Sequence, residues 1–83
     1  MWTYTVNALA PGGVKTPGSL VVREAFGQGS VEAADTAFSE RIPLGRVAQP
    51  IDIGRAVLLL VSRAADYITG QVLHVDGGFT CVM

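Results

Sequence analysis

The sequence predicts an α/β chain in which two short strands run parallel and are joined by a long, helix-containing crossover. Three observations carry that reading. Residues 3–9 alternate their side chains and are rich in β-branched and aromatic types. Residues 50–64 are apolar at helical spacing behind a proline start. Residues 71–76, Gln-Val-Leu-His-Val-Asp, form a second strand-like run closed by Gly77 and Gly78. Two strands separated by a helix and many intervening residues pair in parallel, through a right-handed crossover.

The first strand rests on Trp2, Tyr4, Val6 and Ala8 alternating with Thr3, Thr5, Asn7 and Leu9. Pro11-Gly12-Gly13 then stops the run and turns the backbone, so residues 10–18 read as a loop. A glycine pair at the carboxyl end of a strand lets a ligand approach the main chain, and that edge of an open α/β sheet is where ligands bind. The stretch from Asn7 to Pro17 is therefore the expected ligand-facing rim, with Thr16 and the backbone around Val14 as its polar groups.

Residues 19–40 hold two short helical segments. Ser19 is positioned to cap Leu20 to Phe26, and Gly27-Gln28-Gly29 stops it. Ser30 caps a second segment bearing Val31, Ala34, Ala37 and Phe38. Neither has an apolar stripe wide enough for a central core helix, so the pair reads as a cover over the rim. Residues 41–46 are an irregular link broken by Pro43 and Gly45.

Pro50 fits the first position of the next helix and Asp52 its first turn, where a carboxylate faces exposed amides, whereas Gln49 is a poor cap. Ile53, Val57, Leu60 and Ala64 form one stripe, and Leu58, Leu59 and Val61 spread it around most of the helix. Such a helix needs cover on more than one side. Residues 66–70 then turn the chain into the second strand.

With 83 residues there is room for one domain at most. Charged residues make up only 16% of the sequence, a composition expected of the inside of something larger rather than of a small free-standing surface. The net charge of −1 and the dispersed basic residues exclude a nucleic-acid footprint. The single cysteine, Cys81, excludes an internal disulfide and a cysteine-rich metal site, and no histidine or acid is patterned to activate it. The longest wholly apolar run, Ala56 to Val61, is far too short to span a membrane, and no signal-like segment opens the sequence. A cytoplasmic location and no membrane partner are the expectation.

Several segments together carry a resemblance. They are Val6-Asn7-Ala8-Leu9-Ala10-Pro11-Gly12 with Val14 and Thr16, then Arg41-Ile42-Pro43-Leu44-Gly45-Arg46, then Pro50 through the apolar helix. Tyr67-Ile68-Thr69-Gly70-Gln71-Val72 and Val75-Asp76-Gly77-Gly78-Phe79 complete the series. In this order and spacing they resemble the C-terminal third of a classical short-chain dehydrogenase/reductase. The resemblance implies the C-terminal part of a doubly wound Rossmann-type parallel sheet, its last two strands with connecting helices, incomplete as a fold. It also implies that the cofactor is NAD or NADP, bound by the complete fold and not tightly by this chain alone. Pro11 and Gly12 would lie against the nicotinamide half, Val14 would contact the carboxamide through its backbone, and Thr16 would reach the carboxamide or pyrophosphate. Residues 17–40 correspond to the family's variable substrate lid, and the last helix and strand to a subunit interface of a homo-oligomer.

The sequence also departs from that pattern. Family catalysis uses a tyrosine with a lysine four residues later, the lysine lowering the tyrosine pKa and holding the ribose. Here Tyr4 is followed at that distance by Ala8 and Tyr67 by Gln71, while Lys15 has Pro11 before it. Gly27-Gln28-Gly29 lacks the third glycine and the preceding strand of a dinucleotide fingerprint. The expectation is a fragment of an oxidoreductase that interconverts an alcohol and a ketone on a small-molecule substrate, inactive alone. The alternative is a non-catalytic remnant that acts through subunit association.

Other residues read structurally. Thr16 is either a cofactor contact in a complete fold or a loop-capping hydroxyl. His74 is expected to be packed or hydrogen-bonded, Asp76 to fix its turn, and Tyr67 to be a buried anchor. Arg46 is placed to form an ion pair; with Arg41 and Arg55 it is too scattered to make a phosphate site.

Overall fold

A computed structural model describes residues 3–27 and 30–82. Its elements are β1 (Ala8–Pro11), α1 (Leu20–Phe26), α2 (Val31–Arg41), α3 (Pro50–Val61) and β2 (Val72–Val75), with 3₁₀ turns at Pro17–Ser19, Arg63–Ala65 and Phe79–Cys81. The two strands pair in parallel, with Ala8 opposite Val72 and Pro11 opposite Val75. The helices lie in the connection between them, which is the expected α/β arrangement and a part of a Rossmann-type fold.

The first strand is shifted from the expected 3–9 to Ala8–Pro11. A parallel ladder extends only as far as its partner does, and upstream of Val72 the partner bends at Gly70, whose φ is +73°. There the Gly70 amide donates to the Val6 carbonyl at 2.7 Å, and the Val6 amide donates to Thr69 Oγ1 at 3.1 Å. Alternation in residues 3–7 therefore marks strand-capable chain without a strand beside it among the described residues. Ala10 and Pro11, expected in the loop, belong to the ladder, since the missing N–H of a proline is no loss at a strand end. Trp2 and the Gln28-Gly29 part of the expected helix stop lie outside the described residues.

Asn7 pins the strand entrance. Its amide donates to the Ile68 carbonyl at 3.1 Å while its Oδ1 accepts from the Gln71 amide at 3.0 Å.

The helix expected at 50–64 ends at Val61. Ser62 turns to an extended backbone and its hydroxyl donates to the Leu59 carbonyl at 2.7 Å, so the serine satisfies the helix end and breaks the helix. At the other end Asp52 supplies the cap that Gln49 lacks, accepting from the Gln49 amide at 2.8 Å. Ser30 caps α2 as expected, accepting from the Ala33 amide. Ser19 does not cap α1: its hydroxyl is turned to the carbonyls of Val14 and Thr16 instead.

The core is small. Ala34, Ile42, Val47 and Ala65 are its buried apolar residues, and α3 contributes none. The chain exposes 6251 Å², against about 4,700 Å² for a compact monomer of this mass. Its radius of gyration is 15.3 Å, where about 12 Å is expected of a compact chain of this length. No described helix is long and apolar enough to cross a membrane.

Candidate functional site

The rim is built where β1 ends. The Gly12 amide donates to the Val75 carbonyl at 3.1 Å and closes the ladder. A Cβ on Gly12 would lie 2.8 Å from Asp76 Cβ, so only glycine lets the two strand ends come this close. The chain then makes a short parallel bridge between Val14 and Ala48, in which Lys15 N–H donates to the Ala48 carbonyl and Ala48 N–H to the Gly13 carbonyl.

That bridge decides which groups of the rim are available. Because Gly13 and Lys15 supply the bonds to Ala48, the N–H and C=O of Val14 point to the opposite side. The Val14 carbonyl accepts from Ser19 Oγ at 3.0 Å. Its N–H has no hydrogen-bond partner among the described residues.

Thr16 sits in a reciprocal cap with Ser19. Thr16 Oγ1 accepts from the Ser19 amide at 3.1 Å, and Ser19 Oγ accepts from the Thr16 amide at 3.1 Å. The capping alternative is thus present, and it uses the threonine oxygen as acceptor while leaving the hydroxyl proton to donate. Of the four expected cofactor-side residues, Pro11 ends β1, Gly12 closes the ladder, Val14 forms the bridge to Ala48 and lines the cavity below, and Thr16 caps the turn that follows.

Below the rim a cavity of about 200 Å³ opens between the loop and the helical pair, walled by Val14, Val22, Phe38, Ile42, Val47 and Phe79. Arg23 and Asp35, which sequence reasoning did not single out, form its charged wall. Their bond is bidentate, Nε to Oδ1 at 2.9 Å and Nη2 to Oδ2 at 2.6 Å, and ties α1 to α2. Lys15 Nζ stands 3.8 Å from the same carboxylate. The Arg23 bonds hold the Asp35 pKa below the ordinary carboxylate value. A twelve-residue separation across a helix break gives no periodic signal by which to find such a pair.

Two further acids, Asp76 and Asp52, are similarly occupied. Asp76 accepts from the amides of Gly78 and Thr80, and hydrogen bonds from Thr80 and Gly78 lower its pKa; it fixes the turn, as expected. Asp52 takes a bidentate bond from Arg46 at 2.7 and 3.0 Å, the ion pair expected of Arg46, and is lowered to about 2 by that bond and by the Gln49 amide. Two residues are not where the sequence placed them. Tyr67 is fully exposed at 104%, because no described element of this chain packs against the turn that carries it, and His74 is exposed on β2 rather than packed.

Comparison with known proteins matches residues 3–80 to the family described as Enoyl-(Acyl carrier protein) reductase. The chain is 48% identical over 77 residues to a diacetyl reductase [(S)-acetoin forming] of Staphylococcus aureus, covering 89% of this chain and 30% of that one. A short chain dehydrogenase family protein of Francisella tularensis has the same fold, with a TM-score of 0.82 at 30% identity over 93% of this chain and 33% of its own. A putative 2-deoxy-D-gluconate 3-dehydrogenase of Agrobacterium tumefaciens, solved with bound NADP, matches with a TM-score of 0.75 at 40% identity, over 93% of this chain and 29% of its own. This chain spans less than a third of the length of the curated relatives it matches. The near-complete match of this chain's sequence and of its strand, rim and helix arrangement leads to one assignment: it belongs to the short-chain dehydrogenase/reductase family of NAD(P)-linked oxidoreductases.

Proposed function

We propose that this chain forms the nicotinamide side of an NAD(P)-dependent oxidoreductase that interconverts an alcohol and a ketone, acting within a larger fold and inactive by itself. The observation that supports this most is the Val14 N–H, turned away from the Ala48 bridge and unpartnered among the described residues. A free main-chain donor beside a hydroxyl suits the carboxamide of a nicotinamide, which offers an acceptor oxygen and an amide. When bound, the cofactor gives or takes the hydride.

The residues of this chain bind and orient. Val14 N–H would hydrogen-bond the carboxamide oxygen, and Thr16, its oxygen already held by the Ser19 amide, would give a hydrogen bond from its hydroxyl to a carboxamide or pyrophosphate oxygen. Pro11 and Gly12 keep the rim narrow enough for the ring to approach the main chain. Val22, Phe38 and Ile42 give the space beneath an apolar lining. The tyrosine and lysine that move the proton on the substrate oxygen have no counterpart at the required spacing here, so the isolated chain has the rim without the acid–base pair.

A second reading, association without catalysis, is favoured by one observation: roughly a quarter of the exposed surface is in excess of that of a compact monomer. A homo-oligomer joined through α3 and β2 would cover part of it. The two readings separate on the native polypeptide, isolated from its source with an antibody to the β2 segment. An intact mass of about 25 kDa or more, that of a complete Rossmann domain, with NADH- or NADPH-dependent ketone reduction supports the first. A mass equal to that of the 83 residues alone, with no turnover, favours the second.

A further inference from the structure

Two groups of the rim are left to donate, the Val14 N–H and the Thr16 hydroxyl, and one half-buried side chain is bonded to both residues that carry them. That side chain is Ser19. Its hydroxyl oxygen accepts from the Thr16 amide at 3.1 Å, and its proton lies within reach of two carbonyls, that of Val14 at 3.0 Å and that of Thr16 at 2.9 Å. The two carbonyls differ in what else they have. The Thr16 carbonyl already accepts from the Ser19 amide at 3.1 Å, whereas the Val14 carbonyl has no other hydrogen-bond donor among the described residues.

These bonds fall on consecutive peptide units. The unit joining Val14 to Lys15 is held at both ends, its C=O by Ser19 Oγ and its N–H by the Ala48 carbonyl at 2.9 Å. The next unit, joining Lys15 to Thr16, is held through its N–H by the same serine oxygen. In return the Ser19 amide donates to Thr16 Oγ1 at 3.1 Å, which fixes the threonine side chain. Both roles of the Ser19 hydroxyl, acceptor and donor, are thus used inside the loop.

We infer that Ser19 is the positioning residue of the rim: its hydroxyl clamps peptide units 14–15 and 15–16 together and so sets the spacing between the Val14 N–H and the Thr16 hydroxyl. Two donors aimed at one ligand group serve it only while they are held within about 0.5 Å of the productive geometry, and neighbouring hydrogen bonds are what hold them there. Ser19 acts through Val14 and Thr16 rather than on a ligand itself. The clamp follows from the hydrogen bonds alone; its consequence for a nicotinamide rests on the reading of the rim given above.

Amide hydrogen exchange in the 83-residue chain tests the clamp without any cofactor. Ser19→Ala removes the acceptor of the Thr16 amide, whose exchange is expected to quicken about 2- to 30-fold, the range over which capping hydroxyls act, while Lys15, bonded to Ala48, changes little. Ser19→Thr keeps the hydroxyl and restores the original rate. Ser19→Cys, of nearly the same size but with only a weak hydrogen-bonding group, gives the alanine result if the alanine variant does not fold. In the native polypeptide, fluorescence titration of Ser19→Ala is expected to show NADH or NADPH bound about 2- to 30-fold more weakly, adenosine monophosphate bound as before, and full recovery in Ser19→Thr. The inference is overturned if Thr16 exchange is unmoved in Ser19→Ala, or if Lys15 quickens as much as Thr16. It is equally overturned if cofactor affinity holds while Thr16 exchange rises, or if adenosine monophosphate, which has no nicotinamide, weakens as much as the cofactors. An unaltered native polypeptide that binds neither cofactor, with the exchange pattern as expected, would instead count against the reading of the rim and leave the clamp standing.

Discussion

Gly77→Ala puts the close approach of Ile42 to Gly77 to a direct test. Gly77 has φ of +65°, and an added Cβ would stand 2.6 Å from Ile42 Cγ2 and 3.6 Å from Leu44 Cβ. Two costs add. Placing an L-residue in the left-handed region costs about 1–2 kcal/mol. Forcing the Ile42 methyl aside, at a residue only 8% exposed, costs about 1–3 kcal/mol, as overpacking of a filled site does. The sum, about 2–5 kcal/mol, is large for so small a core.

Gly45→Ala supplies the control. Its φ of +79° is just as unfavourable, yet a Cβ there meets nothing within 4 Å, so only the conformational cost of about 1–2 kcal/mol applies. The difference between the two variants isolates the Ile42 contact, about 1–3 kcal/mol or roughly a 5- to 150-fold change in the unfolding equilibrium. Urea unfolding of the 83-residue chain followed by far-ultraviolet circular dichroism reads that difference. Adding Ile42→Ala to Gly77→Ala relieves the clash, so the double variant loses less than the sum of the singles. Equal midpoints for Gly77→Ala and Gly45→Ala would refute the reasoning, because the approach of Ile42 to Gly77 would then carry no weight.

Three further outcomes are expected. Thr16→Val removes the acceptor of the Ser19 amide and lowers stability by about 0.5–2 kcal/mol in the same urea assay, while Thr16→Ser keeps it. Asp52, held at about 2 by Arg46 and the Gln49 amide, contributes stability that is complete above the ordinary carboxylate pKa of 3.8 and is lost as pH falls from there through about 2; Asp52→Asn flattens that limb of a pH titration of unfolding. Leu58, 66% exposed on α3, is a contact in any assembly made through that helix, so Leu58→Glu shifts sedimentation toward smaller species, and an unchanged profile opposes association through α3.

The sequence discloses the α/β class, the parallel pairing and the rim because each leaves a local trace. Proline and glycine after an apolar run mark the rim, and the spacing of Pro50, Val57 and Leu60 marks α3. The limits of β1 leave no such trace, since Thr3 to Asn7 alternate as well as any strand but the bend at Gly70 removes their partner. Tyr67 and His74 were misplaced for a related reason: their residue types suit burial, yet burial depends on what else packs there. The Arg23–Asp35–Lys15 cluster was invisible because it is assembled by the fold from three segments. The donor state of Val14 likewise follows from the Ala48 bridge, a contact between loops that no residue pattern announces. The family resemblance, by contrast, was legible because it rests on the order of several short motifs.

Hydrogen exchange at the amides of residues 13–16, in the native polypeptide with and without NADH or NADPH, tests the central reading most directly. The Val14 amide, unpartnered among the described residues, is expected to exchange more slowly when either nicotinamide cofactor is added, while Lys15, already bonded to Ala48, changes little. A Val14 amide whose exchange is the same with and without cofactor would contradict it.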